Sequence, residues 1–227
     1  MNYAMSDIHG CLDKYLNMLE VIELGSEDTL YILGDVVDRG PDGIRLLLDI
    51  SDRSNVVLLR GNHDDTAMKI LTCLSEVDAV FNEDELVPLI RAWVSDGGST
   101  TLNQFMHVSA EERKKALQCL QCAALSVEVE VNGQKYFLSH TVPEKEMMPD
   151  TESVDHEGYL WGEPDYELQY FEDKVLVTGH TPTELIDKEC SGRIYIKNNH
   201  IAIDCGAVYD NGRLGCICLD TMKEFYV

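Results

Sequence analysis

The chain has 227 residues, 44% of them apolar, enough for one large core and one domain over 1–227. No apolar run approaches the ~20 residues that a bilayer span needs. Lysines and arginines number 18 against 41 aspartates and glutamates, a net charge of −23. That balance excludes a cationic footprint for nucleic acid or an anionic membrane, and any phosphate site must supply its own local positive potential.

The N-terminus, Met1 to Met5, lacks the basic and apolar regions of a signal peptide, and a cytoplasmic location is expected. Asn2 to Met5 reads as a strand that ends in Ser6-Asp7-Ile8-His9-Gly10. Leu12, Tyr15, Leu16, Leu19 and Ile22 then recur at helical spacing. Thr29 to Leu33 is a second strand, ending in Gly34-Asp35-Val36-Val37-Asp38-Arg39-Gly40, and Pro41 is expected to open a second helix through Ile44, Leu47 and Leu48. Val56 to Leu59 is a third strand, ending in Arg60-Gly61-Asn62-His63-Asp64. The β-α-β-α-β order predicts a parallel sheet with right-handed crossovers, and so an α/β fold.

Residues 66–122 read as a helical segment within the domain. Asn82-x-x-Glu85 and Ser109-x-x-Glu112 are predicted capping boxes, and Gly97-Gly98 interrupts the run. Strands resume at Leu125 to Val131 and Lys135 to Ser139, joined by a hairpin turn at Asn132-Gly133. Lys174 to Thr178, Arg193 to Lys197, His200 to Asp204 and Leu214 to Leu219 are further predicted strands. Thr141 to Glu172 shows no periodicity and is expected to be a long functional or mobile loop. The eight cysteines, including Cys119-x-x-Cys122, are expected to be buried or half-buried thiols without zinc or disulfide partners. His107, His156 and His200 are expected outside any functional constellation, on helices or in loops. Trp93 and Trp161 are expected to be packing residues.

The chemistry gathers where strands end, which is where α/β folds place their sites. Asp7 and His9 are two apart on one side of a strand end. Asp35 can bridge two ions through its two oxygens, and Asn62 offers an amide oxygen. His140 and His180 follow two later strands. Mixed nitrogen and oxygen donors suit Mn, Fe, Co or Zn better than Ca or Mg. His63 has the place of a general acid beside the metals, with Asp38 to fix its tautomer. Arg39 and Arg60 carry planar forks suited to phosphate oxygens.

These segments, in order, resemble the calcineurin-like metallophosphoesterase superfamily, in its branch of serine/threonine protein phosphatases and symmetrical diadenosine tetraphosphatases. The pattern GDxHG, GDxVDRG, GNHE/D, a separate His and GHT is met by Ser6 to Gly10, Gly34 to Gly40, Gly61 to Asp64, His140 and Gly179-His180-Thr181. Ile203 to Tyr209 is similar to that branch's closing strand. The resemblance implies a β-sandwich of two mixed sheets flanked by helices. It implies two divalent metal ions, one on Asp7, His9 and bridging Asp35, the other on Asp35, Asn62, His140 and His180. It further implies direct attack by a metal-bridging hydroxide, His63 with Asp38 as acid, and phosphate held by Arg39, Arg60 and Asn62. The expected substrate is a phosphorylated protein or a small phosphomonoester. Dinucleoside polyphosphate hydrolysis is the alternative among enzymes, and a weakly catalytic metal-binding regulatory module the alternative from another class. Two departures stand out: Ser6 replaces a glycine, and Glu163, in Trp161-Gly162-Glu163, falls where the protein phosphatases of that branch carry a phosphate-binding arginine.

Overall fold

The structure, a computed structural model, describes residues 1–75, 83–143 and 156–227. In chain order β1 (Asn2–Met5), α1 (Leu12–Val21), β2 (Thr29–Ile32), α2 (Gly43–Asp52) and β3 (Val56–Leu58) form the β-α-β-α-β unit. α3 (Asn62–Ser75), α4 (Glu83–Trp93), α5 (Ser99–His107) and α6 (Ala110–Cys122) follow. Then come β4 (Ser126–Val131), β5 (Gln134–Ser139), α7 (His156–Trp161), β6 (Lys174–Thr178), α8 (Thr183–Ile186), β7 (Tyr195–Lys197), β8 (His200–Ala202), β9 (Gly215–Cys218) and β10 (Glu224–Tyr226).

The strands form two five-stranded mixed sheets flanked by helices, in the orders β10-β9-β1-β2-β3 and β4-β5-β6-β8-β7. Strand alternation builds the layers. On β1, Tyr3 and Met5 face a core shared with α1, α2, α3, α5 and α6, while Ala4 faces the other way. Ala4, Ile217, Leu138, Val177 and Ile201 make the dry layer between the sheets. Phe137 and Leu176, on the far face of the second sheet, pack with Tyr159 of α7. β1, β2 and β3 run parallel, as do β5, β6 and β8, so the carboxyl ends of several strands open on one edge of the sandwich.

Four local readings change. α2 starts at Gly43 rather than Pro41, because the Asp42 N–H donates to the Gly10 carbonyl at 3.1 Å and holds the preceding turn against the first loop. The stretch read as aperiodic contains α7, which is too short to display a helical period but buries Tyr159 and Leu160. β10 has only three residues, and its pairing with β9 makes it a strand. His200 is not in a helix or loop: it begins β8, within the strand predicted over His200 to Asp204, and is fully buried, with Tyr166 stacked on it at 4.8 Å. The Ser109–Glu112 capping box forms, and the chain kinks at Gly97 with φ of 105°. The Asn82–Glu85 pair lies outside the described residues. All eight cysteines are free thiols, and Cys122 is exposed rather than half-buried.

Candidate active site

The strand-end loops continue to pair after the sheet has stopped. His9 N–H donates to the Asp35 carbonyl at 2.9 Å, Gly10 N–H to Val36 at 2.8 Å and Gly40 N–H to His9 at 3.0 Å. This lacing holds side chains inward at the cost of backbone strain. Asp7, His9, Asp35, Asp38, Arg39 and His180 all have positive φ, between 45° and 69°, in a region that non-glycine residues rarely adopt. Close approach also requires glycine: a Cβ on Gly61 would collide with the Asp35 carboxylate, and one on Gly179 with Ser6 and Asp7. Asp64 organises the loops from below. Its carboxylate accepts from the backbone N–H groups of Asp35 (2.8 Å), Gly61 (3.0 Å) and Val36 (3.0 Å).

The lone pairs converge. His140 uses its Nδ1 proton on the Leu33 carbonyl at 2.8 Å, which leaves Nε2 bare. That bare nitrogen lies 2.9 Å from Asn62 Oδ1 and 3.1 Å from His180 Nδ1. His9 likewise donates from Nδ1 to the Val37 carbonyl at 2.9 Å and points Nε2 at Asp35, 3.6 Å away. Donor atoms of Asp35, His140 and His180 lie within 4.8 Å of one another, as do those of His9, Asp35 and His63. Asp7 borders both groups, its Oδ2 accepting from the His180 N–H at 2.9 Å and from the Ser6 hydroxyl. Ser6 thus takes an active part where the resembled pattern has glycine.

Electrostatics agree with a cation site. Burial drives His9 down to about 3 and His180 to about 4 and lowers His140, so all three are neutral donors at neutral pH. Burial, with Asp204 and Asp35 close by, raises Asp7 well above the usual carboxylate range. Burial also works against the Asp35 charge, yet the imidazoles of His140, His63, His9 and His180, as they protonate in acid, outweigh it and put Asp35 below that range. Converging lone pairs on buried carboxylates, imidazoles and an amide fit divalent metal ions, and these His and Asp groups could hold them.

Beside this cluster, His63 Nδ1 meets Asp38 Oδ2 at 2.8 Å. Burial opposes a charge on His63, but the Asp38 hydrogen bond and the Asp35 charge outweigh it and raise His63 above the ordinary imidazole value. Asp38 has no exposed surface and is fully engaged: Trp93 Nε1 donates to Oδ2 and Thr101 Oγ1 to Oδ1, each at 2.7 Å. Trp93 therefore packs and also holds the Asp38 carboxylate against His63, a contact that its isolated position in the sequence does not reveal. Arg39 places Nη1 3.0 Å from His9 Nε2 and Nη2 2.9 Å from His63 Nε2.

Arg60 does not join them. Its Nη2 donates to the Gln121 and Ala123 carbonyls at 3.1 Å, and Nη1 faces Asp65 at 3.4 Å. It closes the C-terminus of α6, whose terminal carbonyls lack helical partners, and its guanidinium contacts do not include the donor residues expected beside a phosphate. Trp161 is 54% exposed and lines a cleft over His63, so it is not a packing residue. Glu163 is exposed just beyond it.

The family model for calcineurin-like phosphoesterases matches residues 3–184. The chain belongs to that family. The match spans β1 through α8 and so takes in all the donor residues described above. The symmetrical bis(5'-nucleosyl)-tetraphosphatase of Salmonella paratyphi B is 31% identical over 115 residues, which is 50% of this chain and 40% of that protein. The homologous enzyme of Salmonella typhimurium matches to the same extent. The fold is similar to that of a crystal structure described as a candidate diadenosine tetraphosphatase, with a TM-score of 0.68 at 17% identity, covering 100% of this chain and 92% of the other. It is also similar to a protein serine/threonine phosphatase from Saccharomyces cerevisiae, with a TM-score of 0.60 at 16% identity, covering 95% and 71%. Among the described residues no helix is long and apolar enough to cross a membrane.

Proposed function

We propose that this calcineurin-like phosphoesterase is a two-metal hydrolase of phosphate monoesters, acting on a phosphorylated protein or a small phosphomonoester. The observation that carries the reading is the convergence of bare donors around Asp35, with a carboxylate-held histidine and a single arginine at its rim. Asp7, His9 and Asp35 would hold one divalent ion and Asp35, Asn62, His140 and His180 a second, manganese being the first to test. Such ions, when bound, neutralise phosphoryl charge and lower the pKa of water.

The chain's own groups supply the rest. Asp38 accepts a hydrogen bond from Nδ1–H of His63, which orients the ring and favours the imidazolium, so that Nε2 carries a proton for the leaving oxygen. Arg39 reaches the same space with a planar fork suited to two phosphoryl oxygens. Hydrolysis of an aryl phosphate with added manganese, abolished by a chelator and restored by the ion, is the expected result. Full activity in metal-free protein would overturn the reading.

A second reading, cleavage of dinucleoside polyphosphates, is favoured by the relatives named as symmetrical tetraphosphatases. A panel of phosphopeptides, nucleotides and diadenosine polyphosphates separates the two.

A further inference from the structure

The accessible side of His63 opens into a cleft of about 250 Å³, walled by Thr66, Leu89, Ala92, Trp93 and Trp161. Among the described residues, Asp96 is the one charged residue of its wall besides the His63 imidazole. Asp96 Oδ2 lies 3.6 Å from His63 Nε2, and Asp96 Oδ1 lies 3.6 Å from Arg39 Nη2. Backbone contacts fix this placement. Asp96 sits at the kink between α4 and α5, and the next carbonyl, that of Gly97, accepts the Arg39 N–H at 3.0 Å. A Cβ on Gly97 would strike Arg39, so the close approach depends on glycine there.

Resting on the phosphoesterase reading above, we propose that Asp96 selects the leaving group, admitting neutral alcohols and phenols and disfavouring polyphosphate. In hydrolysis, the oxygen of water bonds to phosphorus and the bond from phosphorus to the leaving oxygen breaks. The His63 Nε2 proton passes to that oxygen, and a proton from the attacking water restores the imidazole's charge balance. The products are inorganic phosphate and an alcohol or phenol. With a dinucleoside tetraphosphate cleaved symmetrically, the leaving group is instead a nucleoside diphosphate. Its anionic phosphates would then lie beside His63, against the Asp96 carboxylate and apolar walls. A neutral side chain or ring meets no such repulsion and gains contact with Leu89, Trp93 and Trp161. Asp96 is a specificity determinant through charge, so its effect must also be screened by salt.

The test compares manganese-loaded wild type with Asp96→Asn, on p-nitrophenyl phosphate, a phosphoserine peptide and diadenosine tetraphosphate. Wild type should favour the monoesters. Asp96→Asn should raise kcat/KM for diadenosine tetraphosphate by about tenfold relative to the monoesters, with the shift shrinking as ionic strength rises. ADP inhibition of p-nitrophenyl phosphate hydrolysis should tighten by a similar factor, and orthophosphate inhibition by less. Asp96 is 56% exposed, so the isosteric change should fold, and a thermal melt checks it. Glu130→Gln, an exposed acid at the hairpin end of β4, should leave the ratio where it was. Hydrolysis with an unchanged ratio, or a shift indifferent to salt, would overturn the proposal alone. No hydrolysis of any substrate would overturn the phosphoesterase reading and this proposal with it.

Discussion

The strand-end loops and the helical insertion meet at His63 from opposite sides, and they do different work. The loops after β1, β2, β3, β5 and β6 provide the donors, held by backbone pairing and positive φ. The insertion, α4 with α5, provides no donor among its described residues. It contributes Trp93 and Thr101 to hold Asp38, and Asp96 at the mouth of the cleft. Sites need donors and also a second layer that orients them, and here the two layers come from different kinds of structure.

The largest effect should come from the loops. Asp35 is the residue shared by both donor groups, so Asp35→Asn should lower hydrolysis by at least ~10³-fold and release bound metal. Metal analysis after dialysis and an aryl phosphate assay read both losses; retention of two ions would remove Asp35 from the bridging position. His63→Asn comes next. It should slow alkyl phosphates by roughly 10²- to 10³-fold and activated aryl phosphates less. Equal loss on both would show that His63 binds or folds rather than donating a proton.

Changes in the insertion should be milder. Trp93→Phe removes one of the hydrogen bonds to a fully buried carboxylate, and about a tenfold drop in kcat on alkyl phosphates is expected, with the metal content intact. The pH profile should move as well, because Asp38 helps hold the His63 proton. A change in stability with no kinetic change would reduce Trp93 to packing and break the contrast between the regions.

Arg39 and Arg60 sharpen it further. Both stand in strand-end loops, yet only Arg39 faces the donors. Arg39→Ala should raise KM by about tenfold. Arg60→Ala should leave KM within about twofold and cost roughly 1–2 kcal/mol of stability, from carbonyls left without a charged donor. Urea unfolding beside steady-state kinetics separates the two outcomes.

The smallest effect on hydrolysis belongs to His200, which the centre does not use. Burial lowers it from 6.5 to about 3, with Thr178 Oγ1 at 2.8 Å from Nε2. Above about pH 6.5 it is neutral both folded and unfolded and adds no pH dependence. As pH falls below that, the unfolded chain takes up the proton first, so stability is lost progressively towards about pH 3. His200→Gln should therefore lose less stability than wild type between about pH 7.5 and about pH 5, read by urea titration. A parallel loss in the two proteins would show that other groups control the acid side.

What the sequence determined by itself was the frame and the residues that stand at its strand ends. Apolar runs, alternation and helical spacing placed β1 to β9 and the helices α1 and α2, because these patterns are local consequences of burial. The ordered strand-end segments named Asp7, His9, Asp35, Asn62, His140 and His180 as residues to look for, since each lies beside its own strand in the chain. Tertiary structure decided what depends on distant partners. Arg60 is taken by carbonyls more than 60 residues away, at Gln121 and Ala123. Trp93 and Thr101 reach Asp38 across separations of 55 and 63 residues, which no local pattern encodes. Asp96 looks like any solvated acid in a chain of net charge −23 until the kink at Gly97 sets it against Arg39 and His63. Short-range order follows from residue types at fixed spacing; which charge faces which follows only from how the elements pack.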